Sequence, residues 1–581
     1  MTTGRIKDKS LLEILRDSRG KWGGRPCMKQ FDGEKFVDIS FEQFADKVSR
    51  IGRGLLALGL AREDKIAILS ENRPEWGASY LGSLAAGCVN VPLDALLKIA
   101  GWSHILRDSE TKALIVSKNF LPEFEQIFDE LPELKYLICM DKPSPGSIAT
   151  SLADLEEKGL QYRGAIPESK PEDLAAILYT SGTTGQAKGV MLTHGNIASD
   201  IDGILQKIDA NISDNFLSVL PIHHTFECTC GFLTPIAAGC CITYARGLAS
   251  KLIVEDIKSN NATILLGVPL LFEKMYAGLM KAISKKPPLT RAVFRASYGI
   301  SKLMLGLFKS EAGRTIFKGL REKAGLSSLR LLVAGGAPMP PEVARAFNLL
   351  GFTFIQGYGL TESAPVLTIN TIERRKDDSI GFAIPGAEIK IIDADNRGIG
   401  QIIAKGPMIM KGYYKNKSAT DEVLRDGWLY TGDSGWKDEE GFFYIAGRLK
   451  NVIVTPAGKN VYPEEVEAVL NTSPFILESL VLGRPLRGTR GEEIQAIIVP
   501  DFEYFDSVAA ERDKKFSQEE IEKTIKKEVN ERCSALADFK KVKYIQIREE
   551  EFEKTSTRKI KRYLFSLKSE SLGRTQQRGS K

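Results

Sequence analysis

Between residues 178 and 196 the chain reads LYTSGTTGQAKGVMLTHGN, a set of residue types suited to holding a chain of phosphates. A β-rich run ends at Tyr179, and Gly182, Gly185 and Gly189 then allow a tight turn. Thr180, Ser181, Thr183 and Thr184 add hydroxyl donors to the backbone N–H groups of that turn, and Lys188 adds a cation. Amides and hydroxyls converging on one point form an anion nest. The spacing G-x-x-G-x-x-K-G differs from the G-x-x-x-x-G-K-[ST] of the P-loop, so the mechanics of that motif do not transfer. A glycine-rich hairpin without a ligand is the alternative. It suits a bare G-x-x-G better than a string with four hydroxyls and a lysine.

Further strings carry chemistry of their own. In GYGLTES (357–363), Tyr358 offers a flat ring for stacking on a base, Thr361 a hydroxyl, and Glu362 the hard oxygen ligand that a phosphate-bound Mg²⁺ takes. In AGGAP (334–338) the small residues leave the backbone at Gly336 and Ala337 uncovered. Asp433 ends LYTGD, and fourteen residues later GRLK begins with Gly447 and Arg448. Cys228, Cys230, Cys240 and Cys241 follow His223 and His224 closely, but neither C-x2-C nor H-x3-H spacing is present. These cysteines are expected to be small buried hydrophobes, not metal ligands.

The elements that must position these residues are legible in outline. Short apolar runs at 64–70, 111–117, 173–180, 262–268 and 329–336 alternate with helix-period sequence, the pattern of α/β architecture with buried, largely parallel strands. From 380 to 445 short strands with frequent glycine turns predict a small antiparallel, barrel-like unit. Beyond Arg448 a charge-rich mixture of strands and helices predicts a separate α+β domain, with the boundary near 447–451 and a polar tail from about 566.

Composition excludes several classes. A chain of 581 residues exceeds one compact core. Lys plus Arg is 80 against 74 Asp plus Glu, a net of +6, too small for a nucleic-acid protein of this length. No run approaches the roughly 18 apolar residues of a membrane span, and the charged N-terminal residues lack a signal-peptide core. Eight cysteines are too few for a disulfide scaffold, so a cytoplasmic protein is expected. One segment departs from this evenness: residues 281–323 hold eleven Lys or Arg and two Glu, a net of +9. Ile300, Leu303, Met304, Leu307 and Phe308 recur there at helical spacing. The expected arrangement is a solvated basic face packed on the domain by this stripe; a peripheral contact with the inner membrane surface is the alternative.

Taken in order over roughly residues 30–565, the strings YTSGTTGQAKGV, LPIHHTFE, AGGAP, GYGLTES, GWLYTGD, GRLKNVIVTPAGKNVYP and KTSTRKIKR resemble the signatures of the adenylate-forming superfamily. That superfamily comprises acyl- and aryl-CoA synthetases, luciferases and peptide-synthetase adenylation domains. The resemblance implies a large N-terminal domain (1–446) of two α/β sheet subdomains with a small barrel-like unit, a mobile α+β domain (447–565) and a tail (566–581). It implies ATP, Mg²⁺ and CoA as co-substrates, with activation of a carboxylic acid as its acyl-adenylate. Thr180, Ser181, Gly182, Thr183, Thr184, Gly185 and Lys188 would clamp the outer phosphates. Gly336, Ala337, Tyr358 and Gly359 would face the adenine, Thr361 the α-phosphate, Glu362 the Mg²⁺, and Asp433 the ribose with Arg448 beside it.

The resemblance further assigns His224 to the acyl pocket and Lys559 to the step that brings carboxylate and α-phosphate together. Lys450 matches the hinge position, and Gly458, Lys459 and Asn460 lie in the loop on the CoA side. Arg558 stands where glycine normally precedes the lysine. LPIHHTFECT has no Asp to hold a substrate ammonium, whereas HTFE (224–227), VPLLFEKM (268–275) and the basic helical stretch at 280–325 resemble long-chain fatty acyl-CoA synthetases. A medium-chain or aryl acid, a carrier-protein acceptor, or a silent nucleotide- or lipid-binding protein are the other readings.

Overall fold

The computed structural model describes residues 5–181, 187–308, 311–486, 491–512, 515–534, 536–555 and 559–565. Two compact units emerge: one of residues 1–389, 404–430 and 440–443, the other of residues 390–403, 431–439 and 444–581.

Two large sheets build the first unit. Nine strands run in the order Phe382–Ala383, Val366–Ile369, Thr353–Gly359, Leu331–Ala334, Ile264–Gly267, Asn215–Ser218, Cys241–Tyr244, Pro26–Phe31 and Phe36–Ser40. Eight run in the order Gly412–Tyr413, Ala187–Thr193, Leu174–Ser181, Val89–Pro92, Lys65–Leu69, Thr111–Val116, Tyr136–Cys139 and Thr150–Ser151. All five runs expected as buried strands are strands. Four of them pair only in parallel, as Ile264–Gly267 does with Leu331–Ala334. The fifth, Leu174–Ser181, lies parallel to Val89–Pro92 on one side and antiparallel to Ala187–Thr193 on the other. Such strands are buried on both faces, which is why their sequences are continuously apolar.

Helix starts follow local chemistry. Ser40 and Gln43 form a reciprocal capping box at the helix Phe41–Ala57, and Thr193 and Asn196 do so at His194–Leu205. The second box turns the strand Ala187–Thr193 directly into a helix. The strands Glu388–Ile392, Gly400–Lys405, Leu424–Arg425, Trp428–Lys437 and Phe443–Arg448 form a five-stranded sheet where the unit expected at 380–445 lies.

In the second unit, Ile476–Pro485, Glu492–Pro500 and Tyr544–Ile547 form a three-stranded sheet that shares a core with the helices Pro463–Leu470 and Gln518–Cys533. The polar tail predicted from residue 566 lies outside the described residues. No helix among the described residues is long and apolar enough to cross a membrane.

The basic segment differs from expectation. Its helix Pro288–Phe308 packs through Phe294 and Tyr298, which lie against the core, and through Ser301, whose hydroxyl donates to the Leu349 carbonyl at 2.7 Å. Ile300, Leu303 and Leu307 point away and are exposed. The apolar stripe is therefore not the packing face. Both faces of this helix carry apolar residues, and periodicity alone does not choose between them.

Candidate active site

The strands on either side of the candidate phosphate loop pair in a fixed register. Leu174–Ser181 and Ala187–Thr193 pair with Thr180 opposite Lys188 and Tyr179 opposite Gly189, and the Thr180 hydroxyl lies 3.5 Å from the Lys188 carbonyl. Ser181 closes the strand; Gly182, Thr183, Thr184 and Gly185 lie outside the described residues. Gly189 is not part of the turn, as spacing suggested. It sits inside the strand, where a Cβ would stand 2.7 Å from Ile177 Cγ2 and 3.3 Å from Tyr414 Cβ, so its small size serves close packing.

Lys188 leads to a residue that the sequence motifs did not mark. Its ammonium lies 5.2 Å from the centroid of the Tyr413 ring, and the buried Tyr413 hydroxyl donates to Glu362 Oε1 at 2.8 Å. One side chain thus joins the lysine of the candidate phosphate loop to the carboxylate expected to hold Mg²⁺. The surroundings fix Tyr413 closely. Gly412–Tyr413 adds to the edge of Ala187–Thr193, opposite Met191 and Val190. Asn196 donates its amide to the carbonyls of Pro407 and Ile409 at 2.7 and 2.9 Å, and the Met410 N–H donates to the Glu362 carbonyl at 2.8 Å. The only local signal was an aromatic pair, GYY, after a glycine.

The strand Thr353–Gly359 delivers Tyr358, half-buried opposite Thr368, and a 3₁₀ turn at Thr361–Ser363 presents Thr361 and Glu362. Gly359 has a packing reason for its identity: a Cβ there would stand 1.7 Å from the Pro365 carbonyl oxygen. Gly336 takes a left-handed φ of 83° and, with Ala337, is exposed. The preceding Gly335 lies under Phe226, whose ring would be 3.0 Å from an added Cβ, and Gly336 faces Val268. AGGAP, HTFE and VPLLFEK therefore meet at one place.

His223 and His224 separate in role. His223 packs nearly buried with Nε2 3.5 Å from Asp94 Oδ1, and burial lowers its pKa. His224, half-buried, accepts the Phe226 N–H at Nδ1 (3.3 Å) at the entry to a π-helical stretch, Phe226–Leu233. Within that stretch Glu227 is 1% exposed. Neither of its carboxylate oxygens has a hydrogen-bond partner among the described residues, and burial pushes its pKa up to about 8. Its carboxyl fills the space over Gly231, where a Cβ would lie 2.6 Å from Cδ. π-helical turns in α-rich surroundings frequently mark functional sites.

In the second unit, the two signatures TGD and GR meet: Arg448 Nε lies 2.6 Å from Asp433 Oδ1, with the Asp433 side chain 7% exposed. Lys450 follows on an exposed 3₁₀ turn, Leu449–Asn451. Gly458, with φ 69°, and Lys459 form the exposed tip between the short strands Ile453–Val454 and Asn460–Val461. Lys459 is held by its N–H to the Thr455 hydroxyl at 3.1 Å, and Asn460 begins the return strand. Lys559 is exposed and pairs with Thr555: its N–H donates to the Thr555 hydroxyl (3.2 Å) and its carbonyl accepts from the Thr555 N–H (2.8 Å). The residues on either side are tied to the domain, Lys554 to Glu478 and Arg562 to Glu467. Arg558 lies outside the described residues.

Comparison with known proteins decides the family. The AMP-binding enzyme model matches residues 15–414, and the AMP-binding enzyme C-terminal domain matches residues 465–559. The chain belongs to the AMP-binding enzyme family. Curated relatives include a chloroplastic long-chain-fatty-acid–acyl-carrier-protein ligase of Arabidopsis thaliana, 28% identical over 90% of this chain and 81% of that one. A long-chain-fatty-acid–CoA ligase of Escherichia coli O6:H1 is also 28% identical, over 84% of this chain and 86% of its own. Among solved structures, an anthranilate CoA ligase in complex with anthranoyl-AMP has a similar fold, with a TM-score of 0.75, 22% identity and 96% of both chains covered.

For an AMP-binding enzyme, the donor set fits Mg²⁺ held mostly by the nucleotide. Among the described residues no group of three or more His, Cys, Asp or Glu could hold a metal. Glu362 with phosphate oxygens and water is the type of shell Mg²⁺ takes, one carboxylate plus substrate. Such a bound ion would neutralise phosphate charge.

Proposed function

We propose that this AMP-binding enzyme is a long-chain fatty acid–CoA ligase. The fatty carboxylate attacks the α-phosphorus of ATP; the new P–O bond gives acyl-AMP as the bond to pyrophosphate breaks. The CoA thiol then attacks the acyl carbonyl, forming the C–S bond while AMP leaves and the thiol proton is released.

The link Lys188–Tyr413–Glu362 carries the ATP part of this reading. It supports placing the outer phosphates beside Lys188, with Glu362 on the metal that screens them. Thr361, one residue before Glu362, is assigned to the α-phosphate, and Asp433, oriented by Arg448, to the ribose hydroxyls. Lys559 bridges two anions that would otherwise repel, the attacking carboxylate and the α-phosphate. Lys450 serves as the hinge between the half-reactions, and Gly458, Lys459 and Asn460 receive the pantetheine arm.

A long acyl chain is favoured by the named relatives in Escherichia coli and Arabidopsis thaliana and by the HTFE and VPLLFEK strings around Phe226 and Val268. Each buried methylene adds about 0.8 kcal/mol to binding in an apolar tunnel. The Arabidopsis relative supports a second reading, in which a carrier protein's thiol replaces CoA.

Acid-dependent ATP–pyrophosphate exchange over acids from acetate to palmitate and benzoate, followed by thioester formation with CoA or with carrier protein, tests the assignment. Exchange best with palmitate and thioester on CoA is expected. Acyl-AMP that forms without CoA ever being acylated overturns the acceptor, and preference for benzoate overturns the acid. Lys559→Ala should lower exchange by at least about a hundredfold and leave thioesterification of preformed acyl-AMP intact. Unchanged exchange removes Lys559 from the mechanism.

A further inference from the structure

The chain reverses sharply between the strands Thr353–Gly359 and Val366–Ile369, and the reversal carries Thr361 and Glu362. Within it the Leu360 N–H donates to the Pro365 carbonyl at 2.9 Å, and the Ser363 hydroxyl donates to the same oxygen at 2.7 Å. These bonds close the turn on itself without fixing where it stands. Ala364 takes a left-handed φ of 69°, in which its Cβ crowds the following carbonyl. Such a conformation persists where the surroundings hold it.

Two buried side chains from other elements supply that hold. The Thr229 hydroxyl donates to the Ala364 carbonyl at 2.9 Å, and Asp200 Oδ1 accepts the Val366 N–H at 3.1 Å. Thr229 is 2% and Asp200 0% exposed. The two bonds grip the chain on either side of Pro365. Thr229 comes from the π-helical stretch Phe226–Leu233, which begins within HTFE. Asp200 comes from the helix His194–Leu205, which continues the strand Ala187–Thr193 after the candidate phosphate loop.

A carboxyl is an expensive acceptor in this place. Asp200 Oδ2 has no hydrogen-bond partner among the described residues, and burial raises the pKa well above the usual carboxylate range. An apolar residue of the same size would avoid that penalty but would leave the Val366 N–H unpaired in the interior. The neutral acid therefore acts as a fixed acceptor for one backbone group.

We propose that Asp200 and Thr229 are positioning residues for metal-bound ATP: by holding Val366 and Ala364 they set where the turn presents Glu362 to Mg²⁺ and Thr361 to the α-phosphate. Both act through the turn. That role rests on Glu362 being the Mg²⁺ ligand, as proposed above, and is independent of which acid the enzyme activates.

Calorimetric titration of the full-length protein with ATP, in excess Mg²⁺ and again in EDTA, with no acid present, tests it. Thr229→Val and Asp200→Leu remove the hydroxyl and the acceptor at nearly constant volume. Each should lower the preference for Mg²⁺-bound over free ATP about fivefold, the scale of one hydrogen bond. Thr229→Ser and Asp200→Asn keep the bonding atoms and should hold the parent preference to within about twofold. If Asp200→Leu does not fold, the two Thr229 variants decide alone. Urea midpoints measured in parallel separate position from packing. A midpoint that falls while the preference stays at the parent value makes both residues structural only and overturns the proposal. So does a Thr229→Ser or Asp200→Asn protein as weak as its apolar counterpart. Glu362→Gln controls the underlying reading: if it keeps the parent preference, Glu362 does not hold Mg²⁺ and both claims fall. If it loses the preference while Thr229→Val and Asp200→Leu keep it, only the positioning role falls.

Discussion

At the scale of single residues, the informative finding is that a tyrosine outside every recognised string joins two that were recognised. The Tyr413 hydroxyl donates a hydrogen bond to Glu362, and its ring faces Lys188. Tyr413→Phe keeps the ring and removes only the hydroxyl. A hydrogen bond to a charged acceptor is worth about 1.5–3 kcal/mol, so the variant should need roughly tenfold more Mg²⁺ for half-maximal pyrophosphate exchange, with the lysine contact preserved. A Mg²⁺ titration of exchange rate checks this; an unaltered titration would mean that Tyr413 only packs. Local spacing marked Lys188 and Glu362 because each lies in a compact string of unusual composition. Tyr413 had no such string, and its role exists only because a two-residue strand adds to the edge of Ala187–Thr193.

At the scale of elements, two segments show geometry setting chemistry. The turn after Tyr358 crosses Pro365 so tightly that only a hydrogen fits at Gly359. Gly359→Ala must move the backbone that presents Thr361 and Glu362; a loss of about 3 kcal/mol or more in urea unfolding is expected, together with loss of exchange activity. Parent-like stability would show that the turn can widen at no cost.

The π-helical stretch holds Glu227 in an apolar place where its neutral acid is favoured up to about pH 8. Its ordinary value is 4.5, so between these values the folded protein keeps a proton that the unfolded chain has released. The stabilisation is fully present below about pH 4.5 and is lost as pH rises through about 8. Glu227→Gln copies the neutral form. The difference in unfolding free energy between variant and parent should grow with pH over this window by an order of a few kcal/mol, read by urea melts from pH 5 to 9. A flat difference would mean that Glu227 finds a partner in solution. HTFE drew attention to His224 at its start, whereas only the fold reveals that the acid closing the same string is buried.

At the scale of the whole molecule, thiol chemistry reports how the cores are closed. All eight cysteines are free, seven of them buried and Cys241 half-buried, and burial raises their pKa values, to about 12 for Cys88 and Cys241. Native protein should release little thionitrobenzoate from Ellman's reagent within minutes, since the thiolate is the nucleophile. Eight equivalents should appear in guanidinium. Several fast-reacting thiols in the native state would contradict this burial.

The sequence by itself determined the α/β class and five buried strands of the first unit, and its strings supplied the residues proposed for the site. Strand runs such as those at 111–117 and 329–336 are apolar because both faces are covered, and that requirement is written locally. The pair Asp433 and Arg448 was also legible, since two short strings carried it, and the structure brings them to 2.6 Å. Tertiary structure alone decided which face of the basic helix packs, that Gly189 serves close packing inside a strand, and that Tyr413 binds Lys188 and Glu362 into one network. Each of these depends on what another segment places opposite, and hydrophobic period and motif spacing describe a segment only against itself.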